Sequence, residues 1–346
     1  MKKLWYNFFK FYISTGLFFY TKKIKITGKE NIPKKGAVLF TVNHPNGLID
    51  PLMVATNTPR ITHYLVRAAV FKKPIVKKFL ATLNLMPIYR IRDGVKELSK
   101  NTQVFNDCFE ILNQQQALMI FPEGSHDRKR TVRPLSKGFT RILFGALEHY
   151  PELKINVIPV GVTYQNASQF PSKIAIHFGK PILANAHYDK NKLNESISLL
   201  KEKVASQLRE LSVHIPLDKN YQNTLQNLNL NNVDFTEVSK VNKMIKTGKI
   251  LKSSNTFNFA KVFYILLIIN SFAPWIVWKL MAKKVDEIEF VDTFRFGIGI
   301  SIFPLFYCIQ TYIVYQLYGT QIAGIYFVVS LLIALLYSKL STTPTE

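Results

Sequence analysis

Cysteine is scarce in this 346-residue chain, which contains only Cys108 and Cys308. Cys108 lies in a segment with helical spacing and Cys308 lies in an apolar stretch, so a disulfide between them is not expected. Neither cysteine has the spacing of a metal ligand. This cysteine usage excludes a disulfide-rich secreted domain and fits the reducing, cytoplasmic side of a membrane.

Acidic residues are also few: 22 Asp and Glu stand against 45 Lys and Arg, which gives a formal net charge of +23. A chain this basic seeks polyanions, either nucleic acid or an anionic membrane surface. The sequence shows no zinc-ligand spacing and no recognisable nucleic-acid-reading module, and much of its basic sequence adjoins apolar segments. We therefore expect anionic membrane lipids as partners and no nucleic acid.

Two patterns typical of hydrolases are absent. No Gly-x-Ser-x-Gly elbow is present, so a covalent acyl-serine intermediate is not expected. A metal-dependent hydrolase that uses His44, Asp50 and Glu123 is an alternative, but their spacing does not match a helix-borne ligand pair. No second histidine stands in a metal-site motif. We expect neither a bound metal nor a bound cofactor.

Hydrophobic patterning divides the chain into four segments. Residues 1–23 contain an apolar and aromatic stretch at the short end of a membrane span, without a signal-peptide cleavage site, so we predict a membrane-associated amphipathic helix. Residues 24–187 alternate short apolar runs with helical patterns, which predicts an α/β domain with a mainly parallel or mixed sheet flanked by helices. Residues 188–260 are polar and are predicted to form a mostly helical extension. Residues 261–340 contain three apolar stretches, each long enough to cross ~30 Å of hydrocarbon as a transmembrane helix.

Within the α/β segment the pattern predicts individual elements. Strands are predicted at 37–42, 61–66, 117–121, 155–162 and 174–178, and helices at 95–112, 137–149 and, in the extension, 193–211. Several lysines precede the first apolar stretch, and positive charge is enriched on the cytoplasmic side of membrane helices. We therefore predict a cell (inner) membrane protein with the α/β domain on the cytoplasmic side.

Five residues separate His44 from Asp50, just after the predicted strand at 37–42. An aspartate at this distance can hold one imidazole nitrogen and leave the other to accept a proton from a hydroxyl. Histidine, with an ordinary pKa of about 6.5, suits general-base catalysis at neutral pH. The alternative for Asp50, which precedes Pro51, is a helix N-cap, and capping is compatible with catalysis.

Two further sets of residues suit anion binding. The strand at 117–121 ends at Pro122-Glu123-Gly124-Ser125, where backbone N–H groups could form an anion-binding nest; the alternative is a turn that needs Pro and Gly. Arg90 follows an apolar, strand-like run and can bind phosphate, with a solvated basic face as the alternative. Arg128–Arg130 fit membrane phosphate better than substrate.

Taken together, these segments resemble the glycerolipid acyltransferase family, the PlsC-like glycerol-3-phosphate and 1-acylglycerol-3-phosphate acyltransferases. The resemblance covers about residues 30–185 and rests on the order and spacing of four blocks, which are His44…Asp50, Pro87–Arg90, Phe121–Gly124 and Val157–Gly161. It implies an α/β fold and transfer of a fatty acyl group from acyl-CoA or acyl-carrier protein to a hydroxyl of a glycerol-phosphate-type acceptor.

The resemblance also implies roles for single residues. His44 would be the general base and Asp50 its orienting partner. Arg90 would bind the phosphate of the acceptor, and Glu123 would help to position the acceptor. The full set of expected substrate-binding residues is Asn46, Arg90, Arg92, Glu123, Gly124, Ser125 and Lys137.

One departure leaves the acceptor open. The family commonly has four residues between the histidine and the aspartate, whereas this chain has five, as in a subset that resembles fungal-type glycerol-3-phosphate acyltransferases. Glycerol 3-phosphate, lysophosphatidic acid, another lysolipid or an amino-acid lipid are all compatible acceptors. The alternative from another class is a non-catalytic lipid-binding membrane protein, whose signature would be loss of His44 or Asp50.

Overall fold

A computed structural model describes residues 2–89, 99–252 and 260–343. Within these residues one sheet holds eight strands. The strands are β1 (Lys23–Thr27), β2 (Ala37–Val42), β3 (Thr62–Arg67), β4 (Leu85–Ile88), β5 (Ala117–Ile120), β6 (Ile155–Tyr164), β7 (Lys173–Phe178) and β8 (Ile182–Leu183). The helices are α1 (Lys2–Tyr20), α2 (Ile49–Asn57), α3 (Pro74–Thr82), α4 (Asn101–Asn113), α5 (Gly138–His149), α6 (Leu193–Leu211), α7 (Tyr221–Leu230), α8 (Val238–Thr247), α9 (Ala260–Asn270), α10 (Phe272–Ala282) and α11 (Val291–Leu340).

The sheet has the strand order β1-β7-β6-β2-β5-β3-β4, and β8 pairs with β6. Neighbouring strands are parallel except where β6 meets β7 and β8. Every residue of β2 is buried, because a central parallel strand is covered by helices on both faces. The predicted mainly parallel or mixed sheet is confirmed.

Helices cover both faces of this sheet. On one face α4 and α5 contribute Leu112 and Phe139 to a fully buried cluster, and α6 adds Leu200. On the other face α1 and α2 contribute Leu17 and Met53. The first helix of the predicted polar extension therefore packs into the core of the α/β domain. The remaining extension helices, α7 and α8, pack against the outer part of the sheet around β7.

The predicted strands are confirmed to within two residues at each end, and β6 runs two residues further than predicted, to Tyr164. The helices predicted at 137–149 and 193–211 are also confirmed. The helix predicted at 95–112 is described only from residue 99 onward, and α4 occupies that part of it.

The sequence predicted three transmembrane helices after residue 260, one for each apolar stretch. The structure divides this segment differently. Its first stretch is broken at Ser271, where α9 and α10 meet at 100°. Two polar side chains at this break bond to α11: Ser271 shares a 2.7 Å hydrogen bond with Tyr307, and the side-chain oxygen of Asn270 accepts one of 2.8 Å from Tyr326. The second and third stretches form α11, which departs from helical geometry at Gly319. By length and composition, the residues 288–340 can cross a membrane, and the bent pair can form a second span.

The two ends of the described chain lie side by side. The ammonium group of Lys339, in the last turn of α11, donates hydrogen bonds of 2.6 Å to the carbonyls of Phe18 and Thr21 at the end of α1. Lys22 donates in return to the carbonyl of Ser341. The predicted membrane-associated helix α1 packs against α2 and α11.

Candidate active site

Two neighbouring parallel strands, β2 and β5, end together at one edge of the sheet, and β6 runs beside them past this edge to Tyr164. The strand order β6-β2-β5 pairs Val42 with Val160 and Thr41 with Ile120. His44 follows β2 and Phe121 follows β5. Open α/β sheets bind their ligands at this edge, so the blocks singled out from the sequence meet where a site is expected.

His44 and Asp50 form a hydrogen-bonded pair. Nδ1 of His44 lies 2.8 Å from Oδ2 of Asp50, in the first turn of α2. The side chain of Asp50 is fully buried and that of His44 is 11% exposed. A carboxylate bound to Nδ1 favours the tautomer with its lone pair on Nε2, the nitrogen that a general base uses.

Two more donors hold the carboxylate of Asp50. The hydroxyl of Tyr164 donates to Oδ1 at 2.7 Å, and the backbone N–H of Asn46 donates to Oδ2 at 2.7 Å. Burial raises the pKa of Asp50 well above its ordinary value, and these two hydrogen bonds oppose that rise. Tyr164 was not predicted as a site residue, because it lies just beyond the predicted end of its strand.

The imidazole of His44 is also held by ring packing. The ring of Phe121 stacks on it with centroids 4.0 Å apart, and the ring of His126 meets it edge-on at 5.7 Å. The backbone N–H of Asp127 donates to the carbonyl of His44 at 3.0 Å. The segment after β5 therefore fixes both the ring and the backbone of the histidine.

Glu123 is bound within the protein. Arg133 donates to Oε2 of Glu123 from Nε at 3.0 Å and from a terminal nitrogen at 2.7 Å, and it also donates to the hydroxyl of Ser125 at 2.7 Å. Burial raises the pKa of Glu123, and the Arg133 guanidinium opposes that rise. Glu123 and Ser125 were predicted to contact substrate; their side chains here anchor the loop, while Glu123 still lines the cavity beside His44.

The remaining predicted binding residues are spread more widely. Gly124 is exposed with φ of +78°, and an added Cβ would meet open space. Lys137 is exposed just before α5. Arg90 and Arg92 lie outside the described residues, so their predicted contact with phosphate stays a prediction.

Asn46 has contacts different from those expected of a substrate ligand. Its side chain is fully buried, and its amide nitrogen donates to the carbonyl of Ala167 at 2.8 Å and to Asp292 at 3.1 Å. A group enclosed in this way supports the loop after His44 and does not face the cavity. This enclosure favours a structural role for Asn46, and its predicted contact with substrate stays a prediction.

The cavity beside His44 is small and basic. Its volume is about 30 Å³, and Arg128, Lys129 and Arg130 contribute to its walls. The guanidinium of Arg130 is buried, donates to the carbonyls of Tyr164 and Gln165 at 2.8 Å each, and lies 3.7 Å from the centroid of the Phe235 ring. The basic run expected to meet membrane phosphate thus lies at the site, where cations suit a phosphate-bearing acceptor.

The first turn of α11 and the short turn just before it contact the loop after His44. The backbone N–H of Gly47 donates to the carbonyl of Glu289 at 3.2 Å, and that of Leu48 donates to the hydroxyl of Thr293 at 3.0 Å. With the bond from Asn46 to Asp292, three successive loop residues are bound by this segment. No local sequence signal marks these partners, which lie far away in the chain.

No cluster of three or more His, Cys, Asp or Glu side chains that could hold a metal ion occurs within residues 2–89, 99–252 and 260–343. The prediction that the chain needs no metal or cofactor stays a prediction.

Parts of this chain are similar to known proteins. Residues 23–163 match the family described as Acyltransferase. Glycerol-3-phosphate O-acyltransferase 2 of Saccharomyces cerevisiae is 31% identical over 120 residues, which are 34% of this chain and 16% of that protein. The 1-acyl-sn-glycerol-3-phosphate acyltransferase of Borreliella burgdorferi is 24% identical over 204 residues, which are 55% of this chain and 74% of that protein.

A similar solved structure is that of the 1-acyl-sn-glycerophosphate (LPA) acyltransferase, PlsC, from Thermotoga maritima. The likeness covers 54% of this chain and 73% of that one, with 17% identity and a TM-score of 0.40. This chain spans only a small part of the yeast relative.

Proposed function

Residues 23–163 of this chain belong to the acyltransferase family, and from this premise we propose that the chain transfers a fatty acyl group from a thioester donor to a hydroxyl of glycerol 3-phosphate or lysophosphatidic acid. The observation that carries the proposal is the 2.8 Å hydrogen bond between His44 and Asp50 at the carboxyl edge of the sheet. The donor is acyl-CoA or acyl-carrier protein, and we expect the reaction to need no bound cofactor.

The reaction starts at the imidazole of His44. Nε2 accepts the proton of the acceptor hydroxyl, and the oxygen attacks the thioester carbonyl while Asp50 stabilises the imidazolium. Backbone N–H groups near the strand ends stabilise the oxyanion of the tetrahedral intermediate. When the C–S bond breaks, the proton returns from His44 to the leaving thiolate. No covalent acyl-enzyme is formed.

Cationic residues suit the phosphate of the acceptor. Arg128 and Lys129 line the cavity next to His44, and Arg90 is the further candidate from the sequence. Because the cavity is only about 30 Å³, the loops around it have to move to admit an acceptor of this size. Such closure on a bound substrate also removes water that would otherwise hydrolyse the thioester.

We place this activity at the cell (inner) membrane, with the sheet on the cytoplasmic side. The support is the apolar helix at 288–340, the bent pair of α9 and α10, and the lysines that precede it. Anionic lipids are the expected surroundings of these basic segments.

The test is direct identification of the product. Purified protein in detergent is incubated with labelled acyl-CoA or acyl-carrier protein and, in separate reactions, glycerol 3-phosphate, lysophosphatidic acid, other lysophospholipids and an amino-acid lipid. Mass spectrometry should identify lysophosphatidic or phosphatidic acid as the main product. A main product from an acceptor without a phosphomonoester would contradict the proposed acceptor, and transfer to no acceptor would contradict the proposed activity.

A further inference from the structure

A second, much larger cavity lies among the helices of the membrane segment. This interhelical pocket has a volume of about 540 Å³ and is enclosed by α1, α9, α10, α11 and the turn at Gln169–Phe170. Its lining is mainly aromatic and aliphatic, and its size is within the range of ~300–1,000 Å³ found for small-molecule sites. Its walls include Tyr20, Trp275, Trp278, Gly299 and Cys308.

The interhelical pocket is separate from the cavity at His44, since the two have no lining residue in common. Between them stands a chain of hydrogen bonds. The hydroxyl of Tyr20, in the pocket wall, donates to Asp292 at 2.6 Å, and Asp292 accepts from the side chain of Asn46 at 3.1 Å. The backbone N–H of Asn46 donates in turn to Asp50. The pocket wall is thereby connected to the pair that carries the proposed chemistry.

The lining indicates the chemistry of an occupant. An apolar interior of this size accepts a hydrocarbon chain, whose removal from water is favourable. One exposed cation, Lys279, stands among the lining residues, with its ammonium 5.4 Å from the centroid of the Trp275 ring. Among the described residues no carboxylate pairs with Lys279. A hydrocarbon chain with an anionic head group matches both the apolar lining and the exposed ammonium group of Lys279.

The source of such a molecule is the bilayer. The helices around the pocket carry many large apolar side chains exposed on their outer faces, among them Ile265 and Leu305. Faces of this kind contact lipid chains in a membrane, where lipid is the abundant apolar ligand.

We propose that the interhelical pocket binds an acyl chain of an anionic membrane lipid. The occupant packs against Tyr20, so it stabilises the contact of Tyr20 with Asp292 and the position of the loop that follows His44. The binding is independent of the proposed function, whereas the effect on catalysis rests on it.

Two glycines of α11 provide a matched pair of variants. A Cβ added at Gly299 would meet no atom within 4 Å, and Gly299 lines the pocket, so Gly299→Phe fills it without a clash at the backbone. Gly297 has the same open surroundings but does not line the pocket, so Gly297→Phe is the control. Both changes favour a helix, because glycine is the weaker helix former.

Binding is measured by quenching of tryptophan fluorescence in detergent. The probe is lysophosphatidylglycerol with a brominated acyl chain, and two of the three tryptophans of the chain line the pocket. Wild type and Gly297→Phe should show saturable quenching that unbrominated lipid competes away. Gly299→Phe should bind at least ~10-fold more weakly. Equal saturable quenching of all three proteins, or none in the wild type, overturns the proposal.

A second binding experiment tests whether the pocket prefers an anionic head group. Brominated lysophosphatidylcholine, which has no net charge, should bind the wild type more weakly than the phosphatidylglycerol form. Lys279→Gln should remove that difference. If both probes bind the wild type equally, the occupant is an acyl chain without the anionic head, and the proposal is overturned in that part.

A third experiment measures acyl transfer by the same three proteins. Added anionic lipid should stimulate transfer by wild type and Gly297→Phe but not by Gly299→Phe, with the same donor chain-length preference in all three. A changed chain-length preference in Gly299→Phe would show that the pocket holds the donor acyl chain, which overturns a separate lipid site. If the wild type transfers no acyl group, the proposed function fails, and the quenching result still decides the pocket.

Discussion

Asn46 and Asp292 are 246 residues apart in the chain, and the side-chain nitrogen of Asn46 lies 3.1 Å from Oδ2 of Asp292. The bond joins the loop after His44 to the first turn of α11. Gly47 bonds to Glu289, just before α11, and Leu48 bonds to Thr293 in that turn. The extra residue between His44 and Asp50 therefore lies in a loop that the start of α11 supports, and this relationship can be tested by mutation.

We expect Asn46→Ala and Asp292→Asn each to lower kcat, by up to ~10²-fold, because a small displacement of a catalytic group is costly. The acceptor KM should change little, since neither side chain is expected to contact the acceptor. Because both residues belong to one network, the double variant should lose about as much as the worse single variant. Asn57→Ala is the control: its side chain bonds only within its own helix, α2. If the loss of kcat in the double variant equalled the product of the two single losses, Asn46 and Asp292 would act independently, which would contradict the proposed network.

His44→Ala should lower acyl transfer by ~10²–10⁴-fold, which is the usual contribution of a general base. Initial rates with labelled donor measure this loss. His149→Ala is the matched control, because His149 is exposed at the end of α5 and bonds to the carbonyl of Gly145. A folded His44→Ala protein with near-wild-type rates would remove His44 from the mechanism.

Tyr164→Phe should move the acid limb of the pH–rate profile to higher pH. The hydroxyl of Tyr164 stabilises the charged form of Asp50, so its loss raises the pKa of that carboxyl further. Transfer needs the ionised carboxylate and is lost as pH falls through this pKa, so the limb shifts upward. The shift should be ~1–2 pH units, since a hydrogen bond to a charged group contributes ~1.5–3 kcal/mol.

The control for this shift is Tyr150→Phe. Tyr150 also donates its hydroxyl to a carboxylate, that of Glu110, but on the exposed far side of the domain. Its pH–rate profile should match that of the wild type. An unmoved acid limb in Tyr164→Phe would show that Asp50 does not set it.

Arg133→Ala should destabilise the folded protein by ~3–5 kcal/mol at neutral pH, because it leaves Glu123 buried without its cation. The pKa of Glu123, already raised by burial, rises further when Arg133 is removed. A carboxyl with a raised folded pKa favours the folded state while protonated, and this contribution is lost as pH rises through that pKa. The loss relative to wild type should therefore be smaller near pH 5 than near pH 8.

Denaturant unfolding in detergent measures this difference. Arg209→Ala is the control, since Arg209 pairs with Glu202 on the exposed surface of α6, where an ion pair contributes ~0–1 kcal/mol. A loss that does not depend on pH would mean that the role of Arg133 is packing or its bonds to Ser125.

Local patterns account for the parts of the structure that the sequence predicted well. The buried run at 37–42 is apolar on both faces, which only a central strand of a covered sheet requires, and β2 has those bounds. The pairing of His44 with Asp50 was also predictable, because a strand end and the next helix start bring them together within a few residues. Both conclusions depend on short stretches of chain.

The rest depends on contacts between distant segments. Tyr164 has the pattern of a core residue, and only the three-dimensional position of Asp50 reveals its role. The bend at Ser271 lies inside an apolar run, and it is stable because Tyr307 and Tyr326 come from another helix. Asp292 stands at the start of an apolar stretch where the sequence gives no reason to expect a contact with Asn46.

The contacts of Lys339 with Phe18 and Thr21 have a consequence for biosynthesis. Helix α1 is translated first among the described elements and the end of α11 last, so a ribosome-bound chain cannot yet form these contacts. The hydrogen bond between Asn46 and Asp292 likewise cannot form until the start of α11 has been translated. Contacts between such distant residues slow folding, and the order of translation means that the sheet emerges well before the segment that supports the loop at its carboxyl edge.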